Sequence, residues 1–214
     1  MEAAESTYFD LRNVRENLQE AKLDNDDVDL QSYLKCFNEL NKFFTLIGNI
    51  FGFVSSELEG KIQILKDFLN KPDEAHNFLT VKKMIDFEKE HNLLQKDNYI
   101  SGSRTLLRIH RALEFIQAFL KAINGLKEDE GTSGPCIDAY NCTLGNHHPF
   151  FIRTGAKLAM YTLPIKHELM LRVCGSEDEI QKAEEILPET LDICSEIYDR
   201  IQRIYSERNL LSLP

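Results

Sequence analysis

Apolar residues recur along this chain at the 3.6-residue spacing of helices, and no run alternates apolar and polar positions between hairpin turns. The spacing predicts helices near 8–22, 30–55, 56–70, 76–94, 103–125, 136–163, 166–173, 177–187 and 189–207, the second and third able to join as one long bent helix. Breaks fall at "NKPDEAH", "KDNYISGS", "NGLKEDEGTSGPC" and "CGSEDE". Ser176 with Glu179 fits a capping box, and Pro188 suits the first turn of a final helix. There is no internal repeat and no linker long enough to part domains. The loop at 126–135 is the best boundary, yet strongly apolar helices flank it. The expectation is a single all-α domain over residues 1–214.

Three stretches break the amphipathic rule. In "RTLLRIHRALEFIQAFLKAI", residues 104–123, Arg104, Arg108 and Arg111 fall within a sector of about 60° at roughly 100° per residue. The ordinary polar residues His110, Glu114, Gln117 and Lys121 form a different sector, while Phe115 and Ala122 continue the arginine line. In "IFGFVSSELEGKIQILKDFLN", residues 50–70, Glu57 and Lys61 sit within the stripe of Ile50, Val54, Leu65 and Phe68. Being i, i+4 neighbours, they are placed to bridge. In "IDAYNCTLGNHHPFFIRTGAKLAMYTLP", a helix continued from Ile137 aligns His148 with Leu144, Ile152 and Ala159, and turns His147 toward the polar side. Pro149 is expected to kink it there.

Each departure alone has an ordinary explanation, a surface bridge or a satisfied core histidine. Together they point elsewhere, because an unpaired buried charge costs on the order of several kcal/mol. A polar recess with apolar walls explains all three. Its cations Lys61, Arg104 and Arg108 outnumber the single carboxylate Glu57, so it suits an anion, and arginine forks suit phosphate oxygens. The apolar surroundings suggest a phosphate attached to hydrocarbon. Pocket-wall candidates on the apolar stripes are Phe43, Ile47, Ile50, Val54, Phe119 and Ile152.

Composition narrows the classes. Hydrophobic residues at 43% and charged residues at 28% describe an ordinary folded protein. A net charge of −10 argues against nucleic-acid binding through a basic surface. Five cysteines without a CxxC pair carry neither metal spacing nor a disulfide framework. The start "MEAAESTYFD" is unlike a secretory signal. The longest apolar run, "FFTLIGNIFGFV", is too short to span a bilayer. A soluble, reduced, cytoplasmic protein is expected. No phosphate loop, dinucleotide fingerprint, nucleophile elbow or zinc-protease motif is present. His148 with Glu57 could form a base and its orienter, but a hydrolase also needs a nucleophile or metal-activated water, which these stripes lack.

At these residues the sequence resembles the glycolipid transfer protein superfamily, in "FGFVSSELEGKI", "RTLLRIHRAL", "YNCTLGNHHPFFIR", "YTLP" and "LLSLP". The resemblance covers nearly all the chain after about residue 28, leaving residues 1–28 as an N-terminal segment outside it. It implies a two-layer all-α sandwich of about eight helices holding one sphingolipid, its head in a surface recess and its chains in a collapsible apolar pocket. Residue by residue, it implies that Lys61, Arg104 and Arg108 bind phosphate. Glu57 would accept from the lipid amide and His148 would donate to the amide carbonyl. Arg111 would support them, ordering Glu57. Sugar-binding members carry tryptophan where Arg108 stands, so the implied cargo is a phosphorylated sphingolipid, ceramide-1-phosphate. Members usually have aspartate where Glu57 stands, and tryptophan where Phe150 stands; Phe150 is the membrane-contact candidate. The implied function is non-vesicular transfer between membranes, by a monomer docking transiently, without cofactor or metal and without catalysis. The rival is an adaptor that binds the same lipid and signals through a protein partner.

Overall fold

The computed structural model describes residues 7–48 and 51–214. Its helices are α1 (Leu11–Ala21), α2 (Leu30–Leu46), α3 (Gly52–Leu69), α4 (Val81–Glu90), α5 (Gly102–Asn124), α6 (Ser133–Cys142), α7 (Phe150–Met160), α8 (Lys166–Cys174) and α9 (Glu177–Glu207). Short 3-10 turns occupy Ala75–Asn77 and Leu144–His147. Among the described residues there is no strand, only isolated bridges. Local chemistry sets several starts: Asp10, Asp29, Thr80, Ser101 and Ser176 each accept a backbone N–H of the first turn. The Ser176 cap forms as predicted, but the carboxylate of Glu179 pairs with Arg12 and Lys182.

Three predicted boundaries are corrected. Residues 30–55 are not one helix, nor do they join 56–70. α2 stops at Leu46 and Gly48 takes φ +148°, a backbone state that side chains with a Cβ rarely adopt. Residues 136–163 divide into α6, the 3-10 turn and α7, with His148 and Pro149 extended between them. In contrast, α9 runs unbroken through Pro188. An internal proline costs about 3 kcal/mol of helix stability. Here one buried stripe, from Ile180 and Leu187 through Cys194, Ile197, Ile201 and Ile204, continues on both sides of it. Pro188 itself is exposed, so the carbonyl freed four residues earlier lies on a face that water can reach.

α5 is the central element, packed against α3, α4, α6 and α9. Its second polar sector is not wholly solvated, as the wheel alone would suggest: Lys121 is exposed, but His110 and Gln117 meet α9. His110 is buried, meets Gln202 Oε1 through Nε2 at 3.0 Å and stacks on Tyr198 with ring centres 4.3 Å apart. Gln117 donates to the Cys194 carbonyl. Burial pushes the His110 imidazole down to a pKa of about 4, from 6.5 in the unfolded chain. As pH falls from 6.5 toward 4, the unfolded chain takes up a proton that the folded chain refuses. Stability is therefore expected to fall by about 1.4 kcal/mol per pH unit across that window, or about 3 kcal/mol in all. Urea unfolding of the wild type and His110→Phe at several pH values checks this. Equal slopes in the two proteins would remove His110 as the cause.

Candidate functional site

Arg108 and Arg111 of the α5 arginine line face a large open cavity of about 830 Å³. Its charged or ionisable lining side chains are Glu57 and Lys61 from α3, Arg108 and Arg111 from α5, and His147 and His148 from the turn before α7. Its apolar wall includes Phe44, Val54, Phe115, Ile152 and Met160. The placement answers the puzzle of the misplaced charges: α5 turns His110 and Gln117 to α9, and Arg108 and Arg111 to a recess. Among the lining side chains three permanent cations stand against a single carboxylate.

Lys61 Nζ donates to Glu57 Oε2 at 2.6 Å and to the Glu57 carbonyl at 3.3 Å, the bridge that i, i+4 spacing predicts. That hydrogen bond and the ammonium charge hold the Glu57 carboxyl below its ordinary range, and Arg108 adds a smaller pull. Glu57 is exposed and Lys61 only partly so. Arg108 is exposed and forms no hydrogen bond or ion pair with another described residue, which leaves its fork available. Arg104 stands one turn earlier, outside the cavity lining, and donates to the Tyr99 carbonyl at 2.6 Å. Arg111 lines the cavity but donates to the carbonyls of Leu211 and Leu213, at 2.9 and 3.3 Å, and not to Glu57 as expected.

His148 reaches the cavity by a route the sequence did not reveal. α6 ends at Cys142, and the following turn packs so closely that a Cβ on Gly145 would meet the Tyr140 carbonyl at 2.7 Å. Only glycine fits there, and the approach brings His148 Nδ1 within 2.8 Å of the Tyr140 hydroxyl. Burial lowers the His148 pKa, with His147 and Lys61 adding to the effect, while burial raises that of Tyr140. Both are therefore neutral at pH 7. Although no continuous helix aligns them, Leu144, His148, Ile152 and Ala159 all line the cavity. His147, predicted to point away, lines it too.

The pocket-wall candidates divide. Val54 and Ile152 line the cavity. Phe43, Ile47 and Phe119 do not; they are buried core. Phe43 packs edge-on to Phe9 and Phe119 and borders a separate apolar void of about 30 Å³. Phe43 and Ile47 were placed on a helix continued past Leu46, which the break at Gly48 ends; Phe119, on α5, packs into the core against Phe43 and Phe115 instead. Ile50 lies outside the described residues. Residues that sequence reasoning passed over include Phe44, Phe115 and the orienting Tyr140. Phe150 is 66% exposed and its neighbour Phe151 84%. With exposed Phe53, Ile152, Leu158 and Tyr161 they give α7 and the start of α3 a strongly apolar outer surface.

The five cysteines are free, four of them buried. Among the described residues no helix is long and apolar enough to cross a membrane.

Comparison with known proteins places this geometry. The glycolipid transfer protein family matches residues 28–175. The ceramide-1-phosphate transfer protein of Danio rerio is 36% identical over 210 residues, covering 96% of this chain and 98% of its own. The apo crystal structure of the mouse ceramide-1-phosphate transfer protein superposes with a TM-score of 0.89 at 31% identity, over 96% of this chain and all of that one. The human protein in complex with 2:0 ceramide-1-phosphate gives 0.86 at 29%, over 97% of this chain and all of that one. These likenesses bear out the all-α sandwich, here with nine α-helices among the described residues rather than about eight. They also make the protein a lipid carrier rather than an enzyme. With the family matched over more than half its length, the chain belongs to the glycolipid transfer protein family.

Proposed function

We propose that this protein carries ceramide-1-phosphate between membranes, with the phosphate in the recess of Lys61 and Arg108 and the chains in the apolar cavity. The observation that carries the reading is the excess of two positive charges at an opening into hydrocarbon-lined space. A phosphate monoester bears about −1.5 to −2 near pH 7, so cargo and recess match in charge. A neutral sugar head would leave that excess positive charge unneutralised. Arg104 adds its charge from the next turn. Tyr140 Oη and His148 Nδ1 share a hydrogen bond; on this reading the phenol is its donor, which places the imidazole proton on Nε2 for the amide carbonyl. Glu57 is the acceptor for the amide N–H. Chain burial contributes about 0.8 kcal/mol per CH₂ whatever the head, so head-group contacts decide selectivity. Phe150, with Phe151 beside it, is proposed to touch the bilayer while the protein, a monomer in the cytoplasm, docks transiently.

The test is transfer between phosphatidylcholine vesicles with ceramide-1-phosphate, phosphatidic acid and a simple glycosylceramide in parallel. Ceramide-1-phosphate is expected to move fastest and glycosylceramide slowest. Fastest movement of glycosylceramide would overturn the phosphate assignment. Tight binding without transfer would instead favour a lipid-sensing adaptor.

A further inference from the structure

The segment after α9 is held more firmly than a trailing end requires. Arg208, at the helix end, pairs with Asp86 of α4 at 2.7 and 3.1 Å. Asn209 takes φ +58° and turns the chain back. Leu210 N then donates to the Tyr205 carbonyl, Leu213 N to the Leu210 carbonyl, and both leucine side chains are buried. The final fastening comes from α5, about a hundred residues away in sequence, where Arg111 Nη2 reaches the carbonyls of Leu211 and Leu213. Pro214, the next residue, lines the large cavity.

A guanidinium bound to two neutral carbonyls keeps its full charge. Arg111 thus lends its field to the recess while its hydrogen bonds are committed to the backbone. We propose that Arg111 is a positioning residue: it straps residues 211–213 across the charged end of the cavity, so that Pro214 forms a wall limiting the recess to a head as small as phosphate. This rests on the reading of the recess as a lipid phosphate site. A phosphate monoester ends at its oxygens, whereas a phosphodiester such as the phosphocholine head of sphingomyelin continues outward and meets the wall. Shape rejection of this kind commonly discriminates by one to two orders of magnitude.

The experiment uses ceramide-1-phosphate and sphingomyelin, which share ceramide and differ in the head, in phosphatidylcholine vesicles. The proteins are wild type, Arg111→Met, a chain lacking residues 212–214, and the two changes combined. Each single change is expected to raise the sphingomyelin to ceramide-1-phosphate transfer ratio roughly tenfold, and the combination no further, because both remove one wall. Hydrogen exchange at the amides of 210–213 is expected to speed up in Arg111→Met. An unchanged ratio in both single variants would overturn the wall. Effects that multiply in the combined variant would overturn it too, since Arg111 would then act on the phosphate directly. Unchanged exchange in Arg111→Met would overturn the strap itself. Failure of the wild type to move any phosphate lipid would overturn the underlying head-group reading, and exchange would still report on the strap.

Discussion

Arg108→Leu is expected to abolish transfer of ceramide-1-phosphate while leaving the fold intact. The fold should survive because Arg108 is exposed and holds no other described residue by a hydrogen bond or ion pair. The function should not, because among the described residues Arg108 is the recess cation with no hydrogen-bonded partner: Lys61 is engaged by Glu57 and Arg111 by the segment after α9. Removing one partner of a hydrogen-bonded charge pair costs about 2–5 kcal/mol, hence about 30- to several-thousand-fold in affinity. Arg108→Lys, which keeps the charge without the fork, should lie between. Circular dichroism, thermal unfolding and vesicle transfer on the same samples decide the matter. Normal transfer by a folded Arg108→Leu protein would sink the head-group assignment.

Glu88→Ala is expected to be among the most damaging single substitutions for stability. Glu88 is 0% exposed and accepts four hydrogen bonds: from Tyr99 Oη at 2.9 Å, Ser101 Oγ at 2.6 Å, Gly102 N at 2.6 Å and Ser103 N at 2.9 Å. Two of these donors are free backbone N–H groups at the start of α5, which need an acceptor when buried. Alanine would orphan all four, and losses of this kind run to about 3–5 kcal/mol. For a chain of this size that is a drop in Tm of roughly 10 °C. Glu88→Gln keeps an acceptor oxygen but sets an NH₂ against the donors, and should fall between. Thermal and urea unfolding test both, and a loss below about 1 kcal/mol for alanine would mean that water replaces the carboxylate. Since Glu88 fixes the start of α5 and the Tyr99 that holds Arg104, partial function should fall with stability.

How much of this was legible in the sequence depends on the range of the cause. The arginine line and the Glu57–Lys61 bridge lie within two or three turns of one helix, so a helical wheel finds them. Helix ends were less legible. The break at Gly48 depends on a single backbone angle, and α9 passes Pro188 because tertiary packing on both sides outweighs local propensity. His148 was found for a partly wrong reason: the residues predicted to share its stripe do line the cavity, but across a turn rather than along a helix. The links from Arg111 to Leu211 and from Tyr205 to Ser103 join residues about a hundred apart. No periodicity records such a pairing, and with it went the wall at Pro214. The polar sector of α5 misled for the same reason, because its partners lie on α9.

The bond between Glu57 and Lys61 has a consequence in time as well as in affinity. A carrier must let go as readily as it takes hold. In the free protein the lysine ammonium already has a carboxylate at 2.6 Å. On the proposed reading, that same carboxylate waits one helical turn away when a bound phosphate leaves, so the ammonium passes from one anion to the other. The reverse exchange eases capture in the same way. On that reading residence time is set partly by a residue of the protein that competes for the cation, and not by the cargo contacts alone.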